Sequence, residues 1–214
     1  MKKVSPEIIE YVEKEILPKY GKVGGHTDSH IRQVIERSLR FFEQAPDLNI
    51  DMVYMIAAYH DLGRLVDNDT HNIESAKMLR KDEFLKVRFS TEEIEIMAEA
   101  VEDHRASLGH EPRSIYGKLV SSADRNTDVD TMLQRVYEYN KYLHPEMSEE
   151  DVLKDARYHL RRKYSPGGYA VNTMYFDDPA FAETLVKIEE ITRDMDIFKK
   201  EIKRVYKKGQ DERD

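Results

Sequence analysis

The chain contains no cysteine among its 214 residues. Disulfide bonds, thiolate-held metal ions and cysteine nucleophiles are therefore excluded, and a metal site would depend on histidine and carboxylate side chains. The absence of disulfides also fits a cytoplasmic protein, because disulfides persist mainly in oxidising compartments.

Long apolar runs are absent as well. No stretch approaches the ~18 consecutive apolar residues that identify a membrane-spanning helix. The N-terminal sequence MKKVSPE has no apolar signal core. We therefore expect a cytoplasmic protein that has no membrane partner.

Positive charge is in short supply. The chain has 34 Lys and Arg residues against 42 Asp and Glu, for a formal net charge of -8. Duplex binding needs a cationic surface, so we expect no nucleic-acid partner. A local basic pocket would still be enough for a small phosphorylated ligand.

The alternation of apolar and polar residues that marks a β-strand is scarce, and helix signals dominate. They include a helix start at Ser5-Pro6, a capping box at Ser90 and Glu93, and a break at Pro145. We predict an all-α fold, with helices near residues 6–18, 28–42, 50–60, 71–80, 91–104, 114–124, 130–143, 148–164 and 179–202.

Residues 50–59 form the most informative segment. A helix over these residues would be apolar on most sides, and His60-Asp61 follows it directly. A buried imidazole and carboxylate are costly unless they are paired or bound to metal. Helical spacing also turns His104 and Asp124 towards apolar faces. Any one such residue is more often a hydrogen-bonded core residue than a ligand. Together they form a set that suits first-row divalent metals: His30, His60, Asp61, His71, His104 and Asp124.

Three short segments carry a family resemblance: DSHIRQV at residues 28–34, HDLGR at 60–64 and SADR at 122–125. In this order they resemble the HD-domain metal-dependent phosphohydrolase superfamily, over about residues 26–130. The resemblance implies an HD-type helical bundle with a divalent ion, which could be iron, manganese, nickel, zinc or magnesium. The implied ligands are His30, His60, Asp61 and Asp124.

Two further histidines refine the predicted ligand set. His71 and His104 match the positions that hold a second ion in the two-metal branches of the family, where Asp61 would bridge both ions. The alternative is a single ion, with His71 and His104 supporting the ligands or facing the phosphate. The resemblance therefore implies one or two metal ions per chain, and the two-metal form is favoured.

The implied activity is hydrolysis of a phosphate ester or phosphodiester, with a nucleotide-like substrate, by metal-activated water. Asp61, Arg64 and Arg105 are the candidate catalytic residues, since both arginines adjoin proposed ligands and arginine suits phosphate contact. The Gly-Tyr-Pro tripeptide of cyclic-di-GMP phosphodiesterases is absent, and Leu62-Gly63 replaces the acidic pair of guanosine tetraphosphate hydrolases. Two alternatives are left: a dinucleotide polyphosphate hydrolase, and a non-catalytic HD-fold module for ligand sensing or assembly.

The predicted organisation is a single domain in three parts: an N-terminal helix and loop at residues 1–25, the metal-binding core at 26–130 and a helical extension at 131–214. The last predicted helix has nearly heptad-like spacing over less than three heptads. We expect it to pack on its own domain, with dimerisation as the alternative. The sequence leaves the oligomeric state open.

Overall fold

The structure, a computed structural model, describes residues 2–21 and 28–211. Residues 22–25 of the predicted N-terminal part, and His26 at the edge of the predicted core, lie outside the described residues. Within the described part all regular structure is helical and no strand occurs, so the predicted all-α class is confirmed. None of the described helices is long and apolar enough to cross a membrane.

Thirteen α-helices are numbered here in chain order through the described residues, with a π-helical turn at Val12–Ile16 and a 3-10 turn at Leu62–Leu65. They are α1 (Pro6–Tyr11), α2 (Leu17–Tyr20), α3 (Asp28–Phe42), α4 (Ile50–Tyr59), α5 (His71–Lys81), α6 (Glu83–Arg88), α7 (Thr91–Glu102), α8 (Ile115–Ala123), α9 (Val129–Leu143), α10 (Glu149–Tyr164), α11 (Tyr169–Asn172), α12 (Pro179–Arg193) and α13 (Met195–Asp211).

These helices form two compact units. The first unit comprises Met1–Asp124 together with the short segment Thr173–Asp177. The second comprises Arg125–Asn172 and Asp178–Asp214. The chain therefore enters the second unit directly after Asp124, which is the last of the predicted metal ligands.

Helix α4 is the centre of the first unit. Every residue from Met52 to Tyr59 is buried, and the helix packs against α3, α7 and α8. Burying one large apolar side chain stabilises a fold by roughly 1.5–3 kcal/mol, so this helix is strongly fixed in the core. As a result, the His60-Asp61 pair that follows α4 is held at a defined place inside the unit.

The half-buried carboxylate of Asp82 holds α4 to the helices around it. Its Oδ2 accepts hydrogen bonds of 2.5 Å from the hydroxyls of Tyr11 and Tyr59. Its Oδ1 accepts from the backbone N–H groups of Phe84 and Leu85, which caps α6. Tyr59 directly precedes His60, so this network helps to fix the position of His60, one of the predicted metal ligands.

We expect Asp82→Ala to lower the free energy of unfolding by about 3 kcal/mol, because it removes the carboxylate that accepts from the Tyr11 and Tyr59 hydroxyls and also removes a helix cap. Urea unfolding followed by circular dichroism measures this change. Asp47→Ala, at an exposed position, is the control. Equal unfolding midpoints for Asp82→Ala and the unmodified protein would contradict the assignment.

The prediction of one helix over residues 179–202 is wrong, because the helix is interrupted at Asp194. This residue is extended, with φ -120° and ψ 142°, and its Oδ1 accepts from the backbone N–H groups of Asp196 and Ile197. It ends α12 and caps α13. Phe198 and Ile202 are buried within the second unit, as expected for a helix that packs on its own domain.

Candidate metal centre

The six predicted ligands lie at or near the ends of five elements in the first unit. Helix ends place side chains at the margin of the packed core, where several can converge on one point. His30 lies in the first turn of α3, His60 and Asp61 follow α4, His71 opens α5, His104 follows α7, and Asp124 follows α8.

The structure brings these residues together in two groups. Each group has its donor atoms within 4.8 Å of one another: His30, His60 and Asp124 form the first, and Asp61, His71 and His104 the second. In the first group, Asp124 Oδ1 lies 3.2 Å from His30 Nε2 and 3.6 Å from His60 Nε2.

The Asp61 carboxylate lies between the two groups. Its Oδ2 is 3.8 Å from His30 Nε2 and 3.7 Å from His60 Nε2. Its Oδ1 is 3.1 Å from His71 Nε2 and 3.6 Å from His104 Nε2. Each oxygen therefore faces a different pair of imidazoles, which is the arrangement that a carboxylate shared between two cations requires.

Backbone carbonyls fix the orientation of three of the imidazoles. A carbonyl only accepts, so each of these Nδ1 atoms carries a proton, and in the neutral ring each Nε2 presents its lone pair to the centre. The pairs are His60 Nδ1 with Ala57 O at 2.8 Å, His71 Nδ1 with Asn68 O at 2.7 Å, and His104 Nδ1 with Val101 O at 2.7 Å.

This orientation has a direct consequence for the second group. His71 Nε2 and His104 Nε2 are 3.3 Å apart. In neutral rings both atoms carry lone pairs, so they repel each other unless a proton or a cation lies between or beside them. The donor set, its orientation and its burial therefore fit a divalent metal ion.

The charges in the centre also favour a cation. Burial lowers the pKa of His60, but the carboxylates of Asp61 and Asp124 outweigh it and raise that pKa to about 9. At His104, burial, together with the nearby His60, outweighs the Asp61 carboxylate and lowers the pKa. At Asp124, desolvation is outweighed by hydrogen bonds from His30 and His60, which hold its pKa well below the usual range. The Asp124 carboxylate is thus kept ionised, and the centre attracts positive charge.

The two predicted arginines occupy different places. Arg64 Nε is 3.0 Å from Asp61 Oδ2, and its NH2 group is 3.4 Å from His71 Nε2, so its guanidinium adjoins the centre. Arg105 donates from NH1 to the carbonyl oxygen of Asp69 at 2.7 Å, in the loop before α5. The structure therefore places Arg64 against the candidate metal centre and Arg105 against a neighbouring loop.

Gly63 has a role beyond its place in the HDLGR motif, which the sequence alone did not indicate. Its N–H donates to the buried Ser75 Oγ at 2.7 Å. A Cβ at this position would lie 2.1 Å from the carbonyl oxygen of His71 and 2.5 Å from the Ser75 nitrogen. Only glycine lets the turn after Asp61 approach α5 so closely, and this approach brings His71 to Asp61.

We expect Gly63→Ala to lower the free energy of unfolding by about 3 kcal/mol, because backbone atoms of α5 must move to admit the methyl group. Thermal unfolding measures the loss. Gly109→Ala is the matched control, since a Cβ there meets no atom within 4 Å. If both variants unfold at the temperature of the unmodified protein, the close approach does not constrain the fold.

The fold and the donor set together define an all-helical protein with a candidate divalent-metal centre built from histidine and aspartate. The family model of the HD domain matches residues 27–128, which include all six residues of the centre. This match is consistent with the HD-domain superfamily, whose members are generally metal-dependent phosphohydrolases. The comparisons with curated proteins and with solved structures found no match.

Proposed function

We propose that this protein is a metal-dependent phosphohydrolase that cleaves a phosphate ester or phosphodiester in a small, nucleotide-like substrate. The observation that carries the proposal is the position of Asp61. One buried carboxylate directs its two oxygens to two separate imidazole pairs, which is suited to holding two cations side by side.

His30, His60, Asp61 and Asp124 would hold one ion, and Asp61, His71 and His104 would hold the second. Iron, manganese, nickel, zinc and magnesium are the candidates, and the imidazole-rich set favours the first-row transition metals. When bound, such ions supply an activated water at neutral pH and neutralise the charge on the phosphoryl oxygens.

The uneven exposure of the centre indicates where substrate approaches. The side chains of His60 and His104 are 0% and 1% exposed, whereas those of His30, Asp124 and Arg64 are 18%, 23% and 18% exposed. We propose that the phosphoryl group enters on the side of these three residues. The buried imidazoles behind it exclude bulk water.

Arg64 is the residue that we propose binds the phosphoryl oxygens. Its guanidinium can present two parallel N–H groups to a phosphate, and its ion pair with Asp61 holds it beside the centre. When the phosphate arrives, Arg64 can share its N–H groups between Asp61 and the substrate. The arginine thereby orients the substrate against the shared carboxylate.

The substrate class follows from charge. A chain with a net charge of -8 is poorly suited to a long polyanionic duplex, so we propose small phosphorylated molecules as partners and no nucleic acid. Dinucleotide polyphosphates fall within this class. Tight, salt-dependent duplex binding at physiological ionic strength would contradict this part of the proposal.

A panel of phosphomonoesters, nucleotides, dinucleotide polyphosphates and phosphodiesters, each with manganese, iron, nickel, zinc or magnesium, tests the activity. We expect phosphate release from at least one substrate class, dependent on the added metal and lost in Asp61→Asn. Asp47→Asn, which removes one exposed acidic charge from the same unit, should retain the activity. Metal binding without turnover of any compound would favour the non-catalytic HD-fold module instead.

A further inference from the structure

The two histidines of the second group are flanked by a pair of cross-links between the same two chain segments. On one side, Asn72 Nδ2 donates to the carbonyl oxygen of Glu102 at 2.7 Å. On the other side, Arg105 NH1 donates to the carbonyl oxygen of Asp69 at 2.7 Å. We call these two hydrogen bonds the brace.

The brace encloses the histidine pair in sequence on both segments. His71 lies between Asp69 and Asn72, and His104 lies between Glu102 and Arg105. Two side chains therefore tie the start of α5 to the end of α7, where the two imidazoles meet. These imidazoles direct lone pairs at each other across 3.3 Å, so an unrestrained pair would move apart.

The α7 side of the brace is itself held rigidly. The carboxylate of Glu102 accepts from Arg80 at 2.7 Å and from Arg113 at 2.6 Å. Asp103, which is 1% exposed, accepts at Oδ2 from the backbone N–H of Arg113 at 2.8 Å and from its Nε at 3.0 Å. The Glu102 carbonyl that accepts from Asn72 is therefore held in place. Through this hydrogen bond, the buried Asn72 holds the start of α5 at a fixed distance from the end of α7.

We propose that Asn72 and Arg105 are positioning residues that set the affinity of the second metal group without acting on the first. The inference rests on the proposed two-metal function. In it, Arg105 acts by its hydrogen bond to the Asp69 carbonyl. The first group is supplied by α3 and by the ends of α4 and α8, and neither bond of the brace touches those elements. Loss of the brace should therefore weaken one ion selectively.

The test is a titration of metal-free protein with Mn²⁺, which resolves the affinities of two ions and needs no substrate. In Asn72→Ala and Arg105→Ala we expect the second ion to bind about 10–100-fold more weakly, as for other residues that support metal ligands, and the first to bind unchanged. Arg105→Lys, which keeps a donor for the Asp69 carbonyl, should restore part of the lost affinity.

Asn140→Ala is the matched control. Asn140 has the same 7% exposure as Asn72 and also donates from Nδ2 to a backbone carbonyl at 2.7 Å, but it lies in the second unit. It should lose a comparable hydrogen bond and retain both metal affinities. This control separates a positioning role from a general loss of stability.

The outcomes distinguish the two proposals. Two ions in the unmodified protein, with both affinities unchanged in Asn72→Ala and Arg105→Ala, would overturn the brace and leave the proposed function standing. Equal weakening of both ions in these variants would also overturn it, since the effect would not be selective. An unmodified protein that binds one ion or none would overturn the two-metal function and the brace together.

Discussion

Asp61→Asn is expected to remove both of the proposed metal ions and to lower the proposed phosphohydrolase activity to about one thousandth of its original value or less. The reason is geometric: both carboxylate oxygens are in use, one towards His30 and His60, the other towards His71 and His104. An amide has nearly the same shape but is neutral and presents only one oxygen. The replacement therefore weakens both groups of the centre while changing the packing little.

Elemental analysis beside an activity assay measures this effect, with circular dichroism to show that the variant is folded. Asp47→Asn again serves as the control, because it makes the same chemical change at an exposed position of the same unit. A folded Asp61→Asn protein that retained its metal content would mean that Asp61 is not shared between two ions.

His104→Ala is expected to lower the metal content from about two ions per chain to about one, and the activity on the order of 100-fold. His104 belongs only to the second group, where it shares Asp61 with His71. The first group would keep His30, His60, Asp124 and the other Asp61 oxygen. Metal binding should therefore persist at half the stoichiometry. The second ion, which would help to neutralise the charge on the phosphoryl oxygens, is lost.

The measurement is the metal stoichiometry of His104→Ala beside that of the unmodified protein, again with circular dichroism. The two-metal arrangement predicts a clear step of one ion. A folded variant that keeps the full metal content would contradict it and would leave His104 as a structural or substrate-facing residue.

Much of the fold could be predicted because its signals are local. The capping box at Ser90 and Glu93 forms in the structure with both of its hydrogen bonds, and α4 is buried on nearly every side as its composition indicated. The break at Asp194 could not be predicted from apolar spacing, because the spacing continues across it. The decisive feature there is the Asp194 side chain. Its carboxylate accepts hydrogen bonds from backbone N–H groups that would bond to carbonyl oxygens in a continuous helix.

Four of the six residues of the candidate site could be predicted because three short motifs carry them in order, and His71 and His104 followed from the family resemblance, but the arrangement of the six could not be predicted. The division into two groups depends on distances between helix ends that lie far apart along the chain. The same holds for Asn72 and Gly63, whose partners lie 30 residues away in one case and on the neighbouring helix α5 in the other. Sequence spacing predicts which face of a helix a residue lies on, but it does not predict which residue on another helix that face contacts.

The central claim is that a shared Asp61 carboxylate holds two divalent ions. Its most direct test is the metal content of protein purified without chelator and then loaded with Mn²⁺. We predict first-row divalent metal in the purified protein and about two ions per chain after loading. Absence of any transition metal, with no thermal shift on adding manganese, iron, nickel or zinc, would contradict the account.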